Sequence, residues 1–287
     1  MDSLWNSLMG WFKEALVGGI MGRFEGMFEN LDAEISGVAA QVGATPAGWN
    51  AGVFSMIKAL SDTVVLPVAG IILTFVLCYE LINLILERNH MHEFDSFKIF
   101  KWIFKTYVAV YILTNTYNIV MAVFELAQNA IAGSAGLISG SVDTKLALDT
   151  LRESLEAMEA FELFGLFLES FIVSLALKAM TICIFIISYG RMLEIYLAVS
   201  VAPIPFATMA NHEWGQIGNN YLRSLFAVAF QGFLIMVCIG IYAVLLNSVA
   251  LSPNAHIAIW TLLGYTALLC FSLFKTGSLS KNVFGAH

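Results

Sequence analysis

A chain of 287 residues with 59% hydrophobic and only 12% charged residues is not a soluble domain, where charged residues run near a quarter. Its mean hydropathy of +0.80 points to several membrane spans joined by modest polar segments. The formal net charge of -7 is mild, and no basic cluster is dense enough for a nucleic-acid footprint.

The N-terminus, "MDSLWNSLMGWFKEALVGG", has no basic n-region and carries Lys13 and Glu14 where a signal core would lie, so it does not read as a cleaved signal peptide. Leu4, Leu8, Trp11, Phe12 and Leu16 form one stripe, as expected of an amphipathic helix resting at the interface. Gly18, Gly22 and Gly26 recur every fourth residue and put small residues on one face, a candidate oligomer interface. "GATPAGWN" breaks the chain, and "AGVFSMIKALSD" reads as a short helix leading into the first span. Residues 1–61 are thus expected to form an extracytoplasmic or interfacial helical segment, and residues 62–287 the transmembrane domain.

About 20 apolar residues cross a hydrocarbon core of about 30 Å. Val64–Leu86, Trp102–Leu126, Leu222–Val249 and His256–Phe274 each qualify. Phe164–Met209 is too long for one span and barely enough for two. Between the second and third regions, "SVDTKLALDTLRESLEAMEAFELF" reads as an acidic amphipathic helix with Leu146, Leu148, Leu151, Leu155 and Met158 on its apolar side, inside an outer loop at 127–163.

Basic residues mark the cytoplasmic connections. Arg88, Lys98, Lys101 and Lys105 cluster after the first span, whereas the Asp143–Glu162 segment is acidic. A single crossing by Phe164–Met209 puts Arg191, Arg223, Lys275 and Lys281 on the same side as Arg88. The expectation is an all-α polytopic membrane protein with about five spans, N-terminus outside and C-terminus cytoplasmic. The third span then ends near Tyr189-Gly190-Arg191, followed by a cytoplasmic-side elbow at 191–221 that contains Pro203, Pro205, Trp214 and Arg223. The two prolines remove backbone donors and forbid a continuous helix, and irregular backbone at membrane depth survives only under protein or water cover.

Enzyme motifs are missing: there is no Walker loop, no HExxH and no GxSxG, and no catalytic activity is expected. Cys78, Cys183, Cys238 and Cys270 lie in apolar runs without CxxC spacing and read as packing residues. "NHMHEFD" groups His90, His92, Glu93 and Asp95, which read as a solvated turn rather than a metal site because no second ligand cluster accompanies them. No cofactor is expected; a bound phospholipid is allowed for. Polar groups inside spans carry more information, since a lone charge in lipid is costly. Glu80 and Lys178 lie at similar depths and are expected to pair; Glu169 sits on the opposite face of its helix from Lys178. Gln231, Asn115 and Asn118 complete the set, as interhelical hydrogen-bonding groups or as the lining of a watery path between subunits.

"GWNAGVFSMIKALSDTVVLPVAG", "AVYILTNTYNIVMAVFE" and "YGRMLEIYLAVSVAPIPFATMANHEWGQIGNNYLRSLFAVAFQGFLIM" resemble the TrbL-like conjugal transfer proteins of Gram-positive integrative conjugative elements, polytopic core subunits of type IV secretion systems. The resemblance covers roughly Trp5 to Val249, most specifically in the APIPFA-to-GFLIM block. It implies a non-enzymatic inner-membrane channel or scaffold subunit supporting transfer of single-stranded DNA with its relaxase. It also implies a homo-oligomeric ring, a pentamer in the well-described Gram-negative case, working beside other secretion subunits and ATPases. A self-contained transporter or ion channel for a small solute is the alternative, motivated by Glu80, Lys178 and Glu169 within spans.

Overall fold

The computed structural model describes residues 2–86, 96–135, 144–250 and 254–286, and every regular element among them is helical. In chain order these are α1 (Asp2–Gly43), α2 (Pro46–Trp49), α3 (Ala51–Leu60), α4 (Leu66–Leu86), α5 (Ser96–Thr114) and α6 (Thr116–Ala135). Then come α7 (Thr144–Ala157), α8 (Ala160–Val201), α9 (Pro203–Thr208), α10 (Gly215–Ala250) and α11 (Ala255–Phe284). The "NHMHEFD" cluster lies outside the described residues, as do the side chains of Leu146 and Leu148.

Among the described residues, four stretches are long and apolar enough to cross a membrane: Ala51–Leu86, Ala160–Val201, Gly215–Val249 and Ala255–Phe284. The chain is thus an all-α, multi-pass membrane protein. The first stretch joins α3 to α4 through a π-helical turn, Ser61–Val65. Pro67 has no N–H for the carbonyl four residues back, and the wider turn carries the backbone past that point.

The second expected span differs from the straight helix read from Trp102–Leu126. Phe97–Thr114 and Thr116–Gly133 meet at a 65° bend and count as a fifth span only as a broken pair. The cause is local. Thr114 Oγ1 bonds back to the carbonyls of Val110 and Tyr111 (3.0 and 3.1 Å), and Thr116 Oγ1 to those of Ile112 and Leu113 (3.1 and 2.8 Å). Asn115 Nδ2 donates to Tyr111 O as well, at 2.9 Å. Three consecutive side chains compete for the ladder's carbonyls, and such back-bonding bends helices.

The third region is one helix. α8 runs unbroken for 42 residues, about twice what a span requires, and an unbroken helix has no turn in which to double back. It does not end near Tyr189–Arg191 as expected but continues to Val201, and Arg191 is buried in the helical packing rather than exposed in a connection.

By packing, the chain divides into two units. The first comprises Met1–Val42, Ala132–Tyr189 and Phe233–Thr276; the second comprises Gly43–Ile131, Gly190–Gly232 and Gly277–His287. In the first unit α1 buries Leu16, Ile20, Phe24, Met27, Leu31 and Val38, a stripe at helical spacing. It runs beside α8 in the same direction: Phe167 lies against Gly19, and Gln41 Nε2 donates to Tyr189 Oη at 2.7 Å. These two contacts are equally far apart along both helices, so the pair stays in register. From Leu16 onward the apolar side of α1 therefore packs on its own chain. Of the expected N-terminal stripe only Leu16 is buried; Leu4, Leu8, Trp11 and Phe12 stay exposed. In α7, Leu151 and Leu155 are buried as the acidic amphipathic pattern implies.

The second unit is organised around the break at "GATPAGWN". Thr45 caps α2 by accepting from Gly48 N (2.9 Å), and Asn50 caps α3 by accepting from Val53 N (3.0 Å). Tyr196 Oη donates to Pro46 O at 2.6 Å and so ties the break to α8. One core joins Val120, Val123 and Phe124 of α6 to Met192, Ile195 and Val199 of α8 and to Leu225, Val228 and Ala229 of α10.

The back-bonding account of the bend is testable. In a cysteine-free background, spin labels at Phe104 and Leu126, both exposed, report the angle between α5 and α6. Replacing Thr114, Asn115 and Thr116 by Val, Leu and Val should straighten the pair and lengthen the label distance by about 5 Å, from 1.5 Å rise per residue on each arm. An unchanged distance would place the cause of the bend in tertiary packing instead.

Candidate functional site

The passage that the prolines interrupt is short and covered. Pro203 starts α9 at a position where a missing N–H costs nothing. The helix lasts one and a half turns before the chain turns again at Met209–Trp214. Its inner side is dry: Ala207 and Ala210 pack with Ala69, Leu73, Val76 and Leu77 of α4 and Leu113 of α5. Small residues here let the elbow backbone approach α4 closely.

A polar junction closes the elbow. Asn211 is buried, and its Oδ1 accepts from the N–H groups of Glu213 (2.7 Å) and Trp214 (3.2 Å), which satisfies two donors that the broken helix releases. Its Nδ2 donates to Glu80 Oε2 at 2.8 Å. The other carboxylate oxygen, Oε1, meets Lys105 Nζ of α5 at 2.5 Å. Glu80 thus joins α4, α5 and the elbow through one side chain. Trp214 covers the arrangement, stacked on Phe75 (ring centroids 5.7 Å apart) and on Tyr79 (5.4 Å). Tyr79 Oη also donates to Glu213 Oε2 at 3.3 Å.

This corrects one expectation: the carboxylate of Glu80 takes Lys105, not Lys178, as its ion partner. Lys105, one of the basic residues that cluster after the first span, lies in the third turn of α5, where its chain length lets it reach back across to α4. Glu169 likewise has a partner, His256 Nδ1 at 2.8 Å, at the start of α11. Lys178 lies on the wall of a cavity between α1 and α8.

The remaining candidates are scattered. Asn115 sits at the α5–α6 bend, bonded within its own helix, and Asn118 is exposed on α6. Gln231 is buried on α10, close to Gly277 of α11. Pro205 presents its carbonyl to Gly218 at the start of α10: a Cβ on Gly218 would stand 2.6 Å from that oxygen, so only glycine fits. Arg223 is exposed and lies beside Gly285. Gly18, Gly22 and Gly26 have no neighbour within 4 Å of an added Cβ. The glycine of α1 that makes a close approach is Gly19, one position off the stripe.

Charge alone places Arg191 in a cytoplasmic connection and gives no sign of its burial. Arg191 is buried, its Nη2 reaches Ala229 O only at 3.5 Å, and its Nε and Nη1 have no hydrogen-bond partner among the described residues. Gly232 makes room for it, since a Cβ there would come within 2.6 Å of Nη2. The available signal was that apolar helical periodicity runs through Arg191 without interruption.

The ion pair at the elbow predicts coupling. With both side chains part-exposed, Glu80→Gln and Lys105→Met should each lower stability in detergent, and a double-mutant cycle should return a coupling of about 1 kcal/mol, above the median for a solvated pair because the surroundings are apolar. Asn211→Ala should cost about 1 to 2 kcal/mol by freeing the two turn donors. Additive losses for Glu80 and Lys105 would mean that they do not act as a pair.

The geometry is that of a buried elbow packed against α4 and α5 and closed by a polar junction. In comparison with known families, the model of TrbL/VirB6 plasmid conjugal transfer-like proteins matches residues 31–203, more than half of the chain. The match stops at Pro203, so most of the APIPFA-to-GFLIM block lies beyond it. No curated protein and no solved structure matches the chain.

Proposed function

Because this chain belongs to the TrbL/VirB6-like family of plasmid conjugal transfer proteins, and so is a membrane subunit of a conjugal transfer system, we propose that it is a channel or scaffold subunit of a type IV secretion apparatus that supports passage of single-stranded DNA with its relaxase. It does so as a homo-oligomeric ring in the cytoplasmic membrane, N-terminus outside and C-terminus inside, beside the other subunits and ATPases of the apparatus. Its role is structural rather than catalytic.

One observation carries this reading beyond the family. α1 runs beside α8, a helix long and apolar enough to span, yet its outward face is not lipid-compatible. Gly18, Gly22, Glu25 and Glu29 follow one another at helical spacing, and both carboxylates are exposed beside the spanning part of α8. Uncovered carboxylates along a span are expensive in hydrocarbon. Water in a shared interior, or a second subunit, resolves the cost, and small residues permit close helix approach.

Deletion of the gene should reduce mating frequency to the assay background, with recovery on complementation. Proteoliposomes of this chain alone that move a small solute, with mating unaffected by deletion, would favour the transporter reading instead. Reporter fusions after Asp143 and after Ala286 test the topology; a C-terminal fusion active only outside overturns it. Gly22→Leu should dissociate the assembly in mild detergent, read by native mass measurement, while expression persists. A full ring in that variant removes the glycine face from the interface.

A further inference from the structure

α1 and α8 touch at Gly19 and Phe167, and beyond that contact they part around a cavity of about 320 Å³. Its polar lining is Arg23, Asn30, Ser174, Lys178 and Thr181, with Met27 and Phe171 among the apolar remainder, and no carboxylate among the described side chains lines it. Two cations facing one cavity without an acid is an unbalanced arrangement inside a membrane protein.

The two cations are held differently. Arg23 is fixed: its Nη1 donates to Phe167 O (2.8 Å) and Ser170 Oγ (3.2 Å), and the guanidinium lies 3.8 Å over the Phe167 ring. Those bonds use one nitrogen and leave Nε and Nη2 as donors. Lys178 has no hydrogen bond or ion pair among the described residues and is exposed.

Depth adds a second constraint. Glu169 meets His256 at the second residue of α11, where that chain enters its span, so this level marks a membrane surface. Arg23 binds at Phe167 and Ser170, the same level. Lys178 starts about 13 Å deeper by helix rise, but helical side chains lean toward the helix N-terminus and lysine snorkels toward the surface, so its ammonium returns toward Arg23. Below this level Leu175 and Ile182 of α8 are exposed apolar side chains.

We propose that the cavity holds the phosphate headgroup of an acidic phospholipid, clamped between Arg23 and Lys178, with an acyl chain lying along Leu175 and Ile182. The apolar surface continuing from the cavity favours a lipid over free phosphate, and the absence of any lining carboxylate favours a net-negative headgroup over a zwitterionic one. The site is independent of the transfer role proposed above.

The test uses the full-length protein, delipidated in non-ionic detergent and titrated with phosphatidylglycerol, phosphatidylcholine or inorganic phosphate, with bound species read by native mass spectrometry. Phosphatidylglycerol should bind about thirtyfold more tightly than phosphatidylcholine, the worth of two basic residues near an anionic headgroup. Lys178→Met should lower phosphatidylglycerol affinity about fivefold, and Lys178→Arg should restore most of it. Since Lys178 makes no contact that the fold needs, its variants should keep the lipid-free unfolding temperature; Arg23→Gln, which also loses the Phe167 packing, serves only as support. Equal binding of the two lipids, or an unchanged Lys178→Met, overturns the site. Displacement of the lipid by millimolar phosphate overturns the lipid assignment.

Discussion

Everything in this chain follows from one constraint: a peptide group in apolar surroundings must find its hydrogen-bond partner within the protein. Helices meet that demand along their length, which is why the described residues hold no other regular element. The difficulty lies where a helix stops. At Val201–Gly215 the ladder breaks twice within a few residues, and the fold answers with cover and substitution. α4 supplies a dry surface of small and branched residues over α9, and the Asn211 carbonyl oxygen takes the two N–H groups that the turn releases. Once Asn211 faces inward, its amide nitrogen needs an acceptor. Glu80 provides it, and Lys105 balances the charge thereby drawn into the span. The polar junction is a consequence of the elbow.

The same logic governs the other charges. Glu169 shares a hydrogen bond with His256, and Glu194 pairs with Lys281 (3.4 Å), each a third to a half exposed. Pairs of that exposure contribute at most about 1 kcal/mol, so they are weak as stabilisers. Glu34, half-buried on the wall of a small apolar cavity, is one exception among the described residues; two others are cations. Arg191 is enclosed with two nitrogens unpartnered, and Lys178 faces a cavity without an acid. An excess of buried or cavity-facing positive charge within a chain of net negative charge means that the acids are elsewhere, largely on exposed faces such as the outer side of α1.

The sequence reveals what depends on one residue's own chemistry and conceals what depends on azimuth. Hydropathy locates α4, α8, α10 and α11, and Pro203 and Pro205 locate the elbow. The bend at Asn115 was also written in "LTNTYN", three residues that can turn their side chains back on the ladder, but an apolar window averages across it. The partner of Glu80 was not recoverable. Depth compares positions along the membrane normal and says nothing about which way a side chain points, so Lys178 and Lys105 could not be told apart by it. The glycines fail for the same reason. Spacing shows that Gly18, Gly22 and Gly26 share a face, but whether that face or the one through Gly19 meets α8 depends on how α1 is rotated. The buried stripe from Leu16 to Val38 decides that, and it outweighs the glycines because burying large side chains contributes far more.

α1 therefore presents two surfaces of opposite character, and their signs bear on what the assembly does. The face turned to α8 is apolar and opens on a cationic cavity; the face turned away is acidic, through Glu14, Glu25 and Glu29. Single-stranded nucleic acid is held by positively charged grooves interleaved with aromatic rings. A water-filled interior lined by the outer face of α1 would offer the reverse, carboxylates spaced by glycines, and would repel a polyanion unless cations or another subunit intervened. Within the channel-or-scaffold reading, the charge on this helix weighs on the side of a scaffold: α1 suits an interior packed against a partner with basic side chains better than the bare wall of a DNA conduit.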